Sequence, residues 1–191
     1  MLKVPFLAAV ILAAAVLSFP VHAQDTSKKE AAVKPALSPS QAVLEAWNDV
    51  GRKLIAMAED FPEDKYDFKP TPAQRAFADQ LLHAAGANYF FTNLAMGKAA
   101  PAEEDPKRDQ YKTKADVVAF VKKSFADGAA AIKAKGDKGM SDMVVDPFGH
   151  QQMRVSDMAY GFIEHSGEHY GQLVTYYRLA GLVPPESRPK K

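Results

Sequence analysis

Residues 156–180 carry a stripe that only one kind of secondary structure can use. Met158, Phe162, His165, His169, Leu173, Tyr176 and Ala180 recur at spacings of 4, 3, 4, 4, 3 and 4. That is the repeat of one face of an α-helix, whereas a step of three would throw the side chains of a strand onto opposite faces. Gly181, with Pro184 and Pro185 beyond it, closes the helix. The stripe is apolar except at its centre, where His165 and His169 stand one turn apart, so two imidazoles go wherever the core goes.

The same repeat occurs earlier in the chain. Ser38-Pro39-Ser40-Gln41 has the form of a capping box with proline at the first helical position. Val43, Trp47, Val50, Leu54, Met57 and Phe61 follow at spacings of 4, 3, 4, 3 and 4, and Phe61-Pro62 ends the run. Thr71-Pro72-Ala73-Gln74 repeats the start signal. A second helix is expected from there, or from one turn later, to about Met96, with Gly97 as its stop. Residues 98–112 form a charged connection with two prolines. Thr113 is a good cap for a third helix with Val117, Val121, Phe125 and Ile132 inward. Residues 135–153, with four glycines or prolines, read as a long loop containing one short strand at Met143-Val144-Val145. No run alternates long enough to predict a sheet. Four one-sided helices bury their stripes most economically around a shared core, which predicts an all-α four-helix bundle.

The N-terminus reads differently. Lys3 precedes an uncharged apolar run from Phe6 to Phe19, and Val21-His22-Ala23 offers small residues where a signal peptidase cuts. The run is shorter than the roughly 20 residues that span a bilayer. Residues 1–23 are therefore expected to be a signal peptide cleaved after Ala23, with membrane contact limited to export and a periplasmic or secreted product. Residues 24–37 are polar, charged and aperiodic, a flexible linker to a domain at 38–188. With Lys3 removed, basic and acidic residues balance, and no cluster of Lys and Arg with interleaved aromatics exists, so nucleic acid is not an expected partner. There is no cysteine. Thiolate nucleophiles, disulfides and cysteine-ligated metals are excluded, and any metal must be held by His, Asp or Glu.

His83 sits midway along the second helix, and Ala87, Phe90 and Leu94 continue its face at 4, 3 and 4. It therefore points inward, like His165 and His169. Two readings fit three inward imidazoles. Each ring could be a core residue satisfied by its neighbours. Alternatively the three could hold one divalent ion, leaving a coordination position for water or substrate as catalytic sites do. Burying three polar rings without partners is costly, which brings the second reading level with the first. His150, in the long loop, is expected at the surface.

The chain also resembles a family, over roughly Gln41 to Arg188. The matching segments are Trp47, Asp67-Phe68-Lys69-Pro70-Thr71-Pro72, Phe77, and Leu81-Leu82-His83. Further along they are Thr113-Lys114, Glu164-His165, and Glu168-His169-Tyr170-Gly171-Gln172-Leu173, then Tyr177-Arg178, Gly181 and Pro184-Pro185. Together these identify the chain as similar to the DinB/YfiT-like superfamily. The resemblance implies a four-helix bundle of that type, with a metal on one histidine of the second helix and a His-x-x-x-His pair of the fourth. Those positions are His83, His165 and His169 here. It implies a metal-dependent hydrolase or transferase acting on an unidentified small molecule. The alternative is a non-enzymatic protein that binds a metal or a small ligand. The family's known enzymes include S-transferases and isomerases that use low-molecular-weight thiols. Those thiols are cytoplasmic, so an exported chain is expected to do something else. Zinc suits neutral imidazoles in a tetrahedral site, and nickel, copper or iron also accept them. A homodimer is compatible with the chain.

His165-Ser166-Gly167-Glu168-His169 also matches the inverted zinc-protease motif, in which the glutamate is the general base. That motif needs a downstream acidic ligand, and only Glu186 remains after the helix. Glu168 also lies about 60° off the His165 line. Glu164 and Glu168 are read either as groups that orient the imidazoles or as solvated residues flanking the stripe. Trp47 and Tyr170 are expected to pack in or at the rim of the core, and Asn88 and Arg178 to line a pocket at most.

Overall fold

The computed structural model describes residues 35–102 and 105–189. The expected signal peptide, and residues 24–34 of the expected linker, lie outside the described residues. Helix α1, Pro39–Asp60, begins as its capping box requires: the Gln41 side chain accepts a hydrogen bond from the Ser38 N–H at 3.0 Å. The Ser38 hydroxyl and the Ser40 N–H are tied to the Asp137 carboxylate at 2.7 and 2.8 Å, which fastens this end of α1 to a distant part of the chain. The predicted stripe is the buried one, from Val43 through Trp47 and Leu54 to Phe61.

Helix α2, Phe77–Ala95, starts a turn after the Thr71-Pro72 signal, which forms only a turn. The cause is tertiary. Its first N–H groups, on Phe77 and Ala78, donate to the carbonyls of Phe68 and Tyr66 at 3.0 and 2.9 Å, so backbone caps a helix whose N-cap is alanine. The segment that supplies those carbonyls is held by Phe61 stacked on Phe77, ring centroids 3.8 Å apart. α2 is buried on almost every side, with Leu81, Leu82, Ala84, Ala85, Asn88 and Phe91 all enclosed.

Helix α3, Lys114–Gly139, has the expected Thr113 cap, in which Thr113 and Asp116 exchange side-chain and backbone bonds at 3.1 and 2.9 Å. It runs past the expected end at 135. Gly136 takes φ 56°, a left-handed conformation that breaks the helical path, and one more turn follows to Gly139. The predicted strand, β1, Met143–Val145, has an unpredicted partner, β2, Gln152–Arg154. They pair antiparallel with Val144 opposite Met153. Helix α4, Val155–Leu179, follows β2 without a break.

In the bundle α1 packs against α3 and α4, and α2 packs against the same two. Helices adjacent in sequence, α1 with α2 and α3 with α4, thus lie across the diagonals. Trp47 marks the centre. Its indole N–H donates to the Phe125 carbonyl at 2.9 Å, and its ring meets Phe91 of α2 at 5.1 Å. A Cβ at Gly128 would lie 2.1 Å from the Trp47 ring, so α3 can carry no side chain there. At the other end the Tyr177 hydroxyl donates to the Met57 carbonyl at 2.9 Å. Arg188 and Glu186 bind Asp60 and Arg52, which pins the segment after α4 to α1. Among the described residues no helix is long and apolar enough to cross a membrane.

Candidate metal centre

α2 and α4 are neighbours, and their inward faces bring His83, His165 and His169 together. His165 Nε2 lies 3.3 Å from His83 Nε2 and 3.0 Å from His169 Nε2. The three ligand atoms all fall within 4.8 Å of one another. His83 and His169 are buried and His165 half-buried. All three residues read as inward from the sequence therefore meet at one point. Among the described residues no other group of side chains offers three metal-ligating atoms so close together.

The far side of two rings is held by residues that periodicity did not single out. His83 Nδ1 is bonded to Asp105 of the connection after α2, and Arg75 donates to the other oxygen of that carboxylate at 3.2 Å. His169 Nδ1 lies 2.6 Å from the side-chain amide of Gln80, which in turn contacts the amide of Gln172. A ring that presents Nε2 to an ion must donate from Nδ1. Asp105 accepts such a proton directly. Gln80 accepts it through its oxygen when the amide is turned over, with Gln172 donating to the same oxygen. Imidazoles oriented in this way, by a carboxylate and an amide behind them, are what metal-ligating histidines require.

Electrostatics fit the same use. Burial pushes His169 down to about 4, with the neighbouring His165, His83 and Arg75 adding to the effect, so the ring stays neutral and able to ligate well below ordinary histidine values. Burial works to raise the Asp105 carboxyl, but the bonds from His83 and Arg75 outweigh it and hold the group below its usual range. Arg75 and Asp105 also line a polar cleft of about 500 Å³, with Lys69, Lys107 and Arg108 around it.

The other candidates separate cleanly. His150 is exposed at the hairpin tip. Glu164 and Glu168 are exposed on α4, and Glu186 is occupied by Arg52 on α1 at 2.6 Å, so the inverted-protease arrangement does not assemble. Asn88 is buried between Ser124 and Ser166, at 3.4 and 3.3 Å, and bridges three helices instead of lining a pocket. Arg178 is exposed, Tyr170 is half-buried, and Trp47 is fully enclosed.

Known proteins bear on this geometry. The sequence profile of the DinB superfamily matches residues 46–173, a span that contains all three histidines. The chain belongs to the DinB superfamily. Solved structures agree in fold. A DinB-like protein of Bacillus cereus ATCC 10987 superposes with a TM-score of 0.63 at 18% identity, covering 75% of this chain and 93% of the other. YfiT of Bacillus subtilis, described as a probable metal-dependent hydrolase with an unusual four-helix bundle topology, gives 0.61 at 16% identity over 78% and 94%. A second DinB-like protein of B. subtilis gives 0.59 at 15% identity over 78% and 99%. No curated protein is significantly similar. This DinB-superfamily chain thus has the family's bundle, with a three-histidine cluster between its second and fourth helices.

Proposed function

We propose that the chain is an exported, metal-dependent hydrolase whose divalent ion is held by Nε2 of His83, His165 and His169. The convergence of those three nitrogens carries the reading. Three neutral ligands leave the ion its charge and leave room for water and substrate. An ion in such a site lowers the pKa of water and polarises a substrate oxygen. The chain's own residues do the rest. Asp105 fixes the tautomer and orientation of the His83 ring, Gln80 with its amide turned over holds the His169 ring, and burial at His169 keeps protons off it. Zinc is the proposed ion, for its fit to three imidazoles, with nickel, copper and iron as competitors.

Two further considerations support hydrolysis over thiol transfer. YfiT is described as a probable metal-dependent hydrolase, and a protein on the far side of the membrane meets water but not the cytoplasmic thiols. The proposed signal peptide, residues 1–23, would leave Gln24 as the N-terminus, and intact mass of the protein recovered from the periplasm or medium would test that. The central experiment is elemental analysis of untagged protein, followed by ester, amide and phosphoester screens on the loaded form. One ion per chain with turnover is expected. Failure to bind any of the four metals stoichiometrically would overturn the site. One ion without exchangeable water or turnover would make the chain a binding protein.

A further inference from the structure

A pocket of about 280 Å³ opens beside the histidine cluster. One wall is α4, which contributes Met158, Gly161, Phe162 and His165. The other is the hairpin, with Met153 from β2 and Phe148 from the turn. His165 belongs to both pocket and cluster, so whatever fills the pocket lies against the metal centre. Two carboxylates complete the lining, Asp146 and Asp157, and both have partners. Asp146 accepts the N–H groups of Phe148 and Gly149 at 3.0 and 2.8 Å, which shapes the turn. Asp157 is held by Arg154 at 2.8 and 3.0 Å.

The rim of the pocket is aromatic. Phe148 is 59% exposed, yet its ring rests on Phe90 at 5.1 Å, and Phe90 is followed by Phe162 at 6.5 Å. An aromatic row thus leads from solvent toward His165, and its outer ring leaves apolar surface in water that a bound apolar group would cover. The volume suits a single ring or a branched chain; it lies just below the usual range for small-molecule sites, about 300–1,000 Å³. The two carboxylates disfavour an anion.

We propose that this pocket receives a compact, uncharged aromatic or branched aliphatic group of the substrate and so sets specificity at the neighbouring centre. The assignment rests on the metal-hydrolase reading for its use, but the pocket can be tested without the metal. Gly161 provides the tool, because a Cβ there would meet nothing within 4 Å, and a larger side chain can enter the pocket without displacing the helix.

The full chain, labelled with ¹³C at methionine methyls, is titrated with benzyl alcohol in metal-free and zinc-loaded forms. Met153 and Met158 should shift saturably, while Met57 and Met140, enclosed elsewhere, should not. Gly161→Leu should weaken binding by about tenfold or more, the cost of denying one ring its apolar burial, while zinc stays at one per chain. Phe148→Ala should weaken it severalfold, and its exposure makes misfolding no excuse. The proposal is overturned if neither methionine shifts, or if Gly161→Leu binds benzyl alcohol as the parent does. It is also overturned if both shift with protein concentration alone, which would make the pocket an interface between copies. Zinc retained without benzyl alcohol binding sinks this proposal and spares the metal site. Benzyl alcohol bound by a chain that takes no zinc sinks the hydrolase reading and leaves the pocket standing.

Discussion

Replacing Gln80 with leucine separates a residue that orients a ligand from one that merely fills space. Gln80 is 2% exposed on a helix whose buried positions are mostly apolar, and leucine has nearly its length without its amide. Packing should therefore tolerate the change. What is lost is the partner 2.6 Å from His169 Nδ1. In the metal-free protein that ring can take the other tautomer and turn its N–H toward the neighbouring imidazoles, so little stability is lost. With an ion at Nε2 the proton is confined to Nδ1, and a buried donor without an acceptor costs about 1–3 kcal/mol. The cost falls on the bound state, so zinc affinity should drop about 10- to 100-fold, the range usual for losing a residue behind a ligand. Zinc competition against a chelator of known affinity gives that ratio, and thermal melting of the metal-free protein gives the control. Unchanged zinc affinity in Gln80→Leu would refute the reasoning and reduce Gln80 to core filler. A comparable loss of stability without metal would refute it too, by showing that the amide matters to the fold and not to the ion.

His83→Ala, His165→Ala and His169→Ala should each abolish stoichiometric metal while His150→Ala leaves it intact, as elemental analysis after dialysis would show. Acidification acts in two ways. The unfolded chain takes up a proton at His169 near pH 6.5 and the folded chain only near 4, so this contribution to stability is complete above 6.5 and declines as pH falls toward 4. The loss should be at most about 3 kcal/mol in metal-free protein, read by denaturant melts across a pH series. Protons also compete with the ion for all three rings, so zinc should leave as pH drops below about 6; a folded protein that keeps its full complement at pH 4.5 would point to carboxylate ligands instead. Gly128→Ala should lower stability by about 1–3 kcal/mol, because its Cβ would lie 2.1 Å from Trp47; an unchanged melting temperature would contradict the close approach of α1 and α3.

Helical periodicity made the three histidines legible, since each is spaced with apolar residues whose inward direction was already plain. It also found α1 and the Thr113 cap, where the local signal and the final structure agree. It left two starts open for α2, and the later one forms because Thr71-Pro72 is a valid local signal overruled from outside, by the carbonyls of Phe68 and Tyr66. It stopped α3 early because Gly136 does break the helical path, but a further turn forms beyond the break. β2 escaped because Gln152, Met153 and Arg154 have no strand preference of their own and are strands only by pairing with β1. Of the residues behind the imidazoles, Gln80 left a trace, as a polar side chain three positions before His83 in an apolar helix. Asp105 left none, because a loop carboxylate reveals its partner only once the chain is folded.

The diagonal placement of consecutive helices has a consequence for how the molecule assembles. A bundle of simple helical hairpins can form half at a time, each pair closing a short loop. Here α1 makes its extensive contacts with α3 and α4, and α2 with the same pair, so each half of the chain finds most of its packing in the other. Contacts are distant in sequence, which makes folding slower than the helical content alone would suggest, and a truncation at the 98–112 connection should yield no folded fragment. The ligands follow the same division, with His83 in one half and His165 and His169 in the other. An ion can therefore be held only after the halves have come together. Zinc should leave the rate of folding almost unchanged and act by slowing the reverse step.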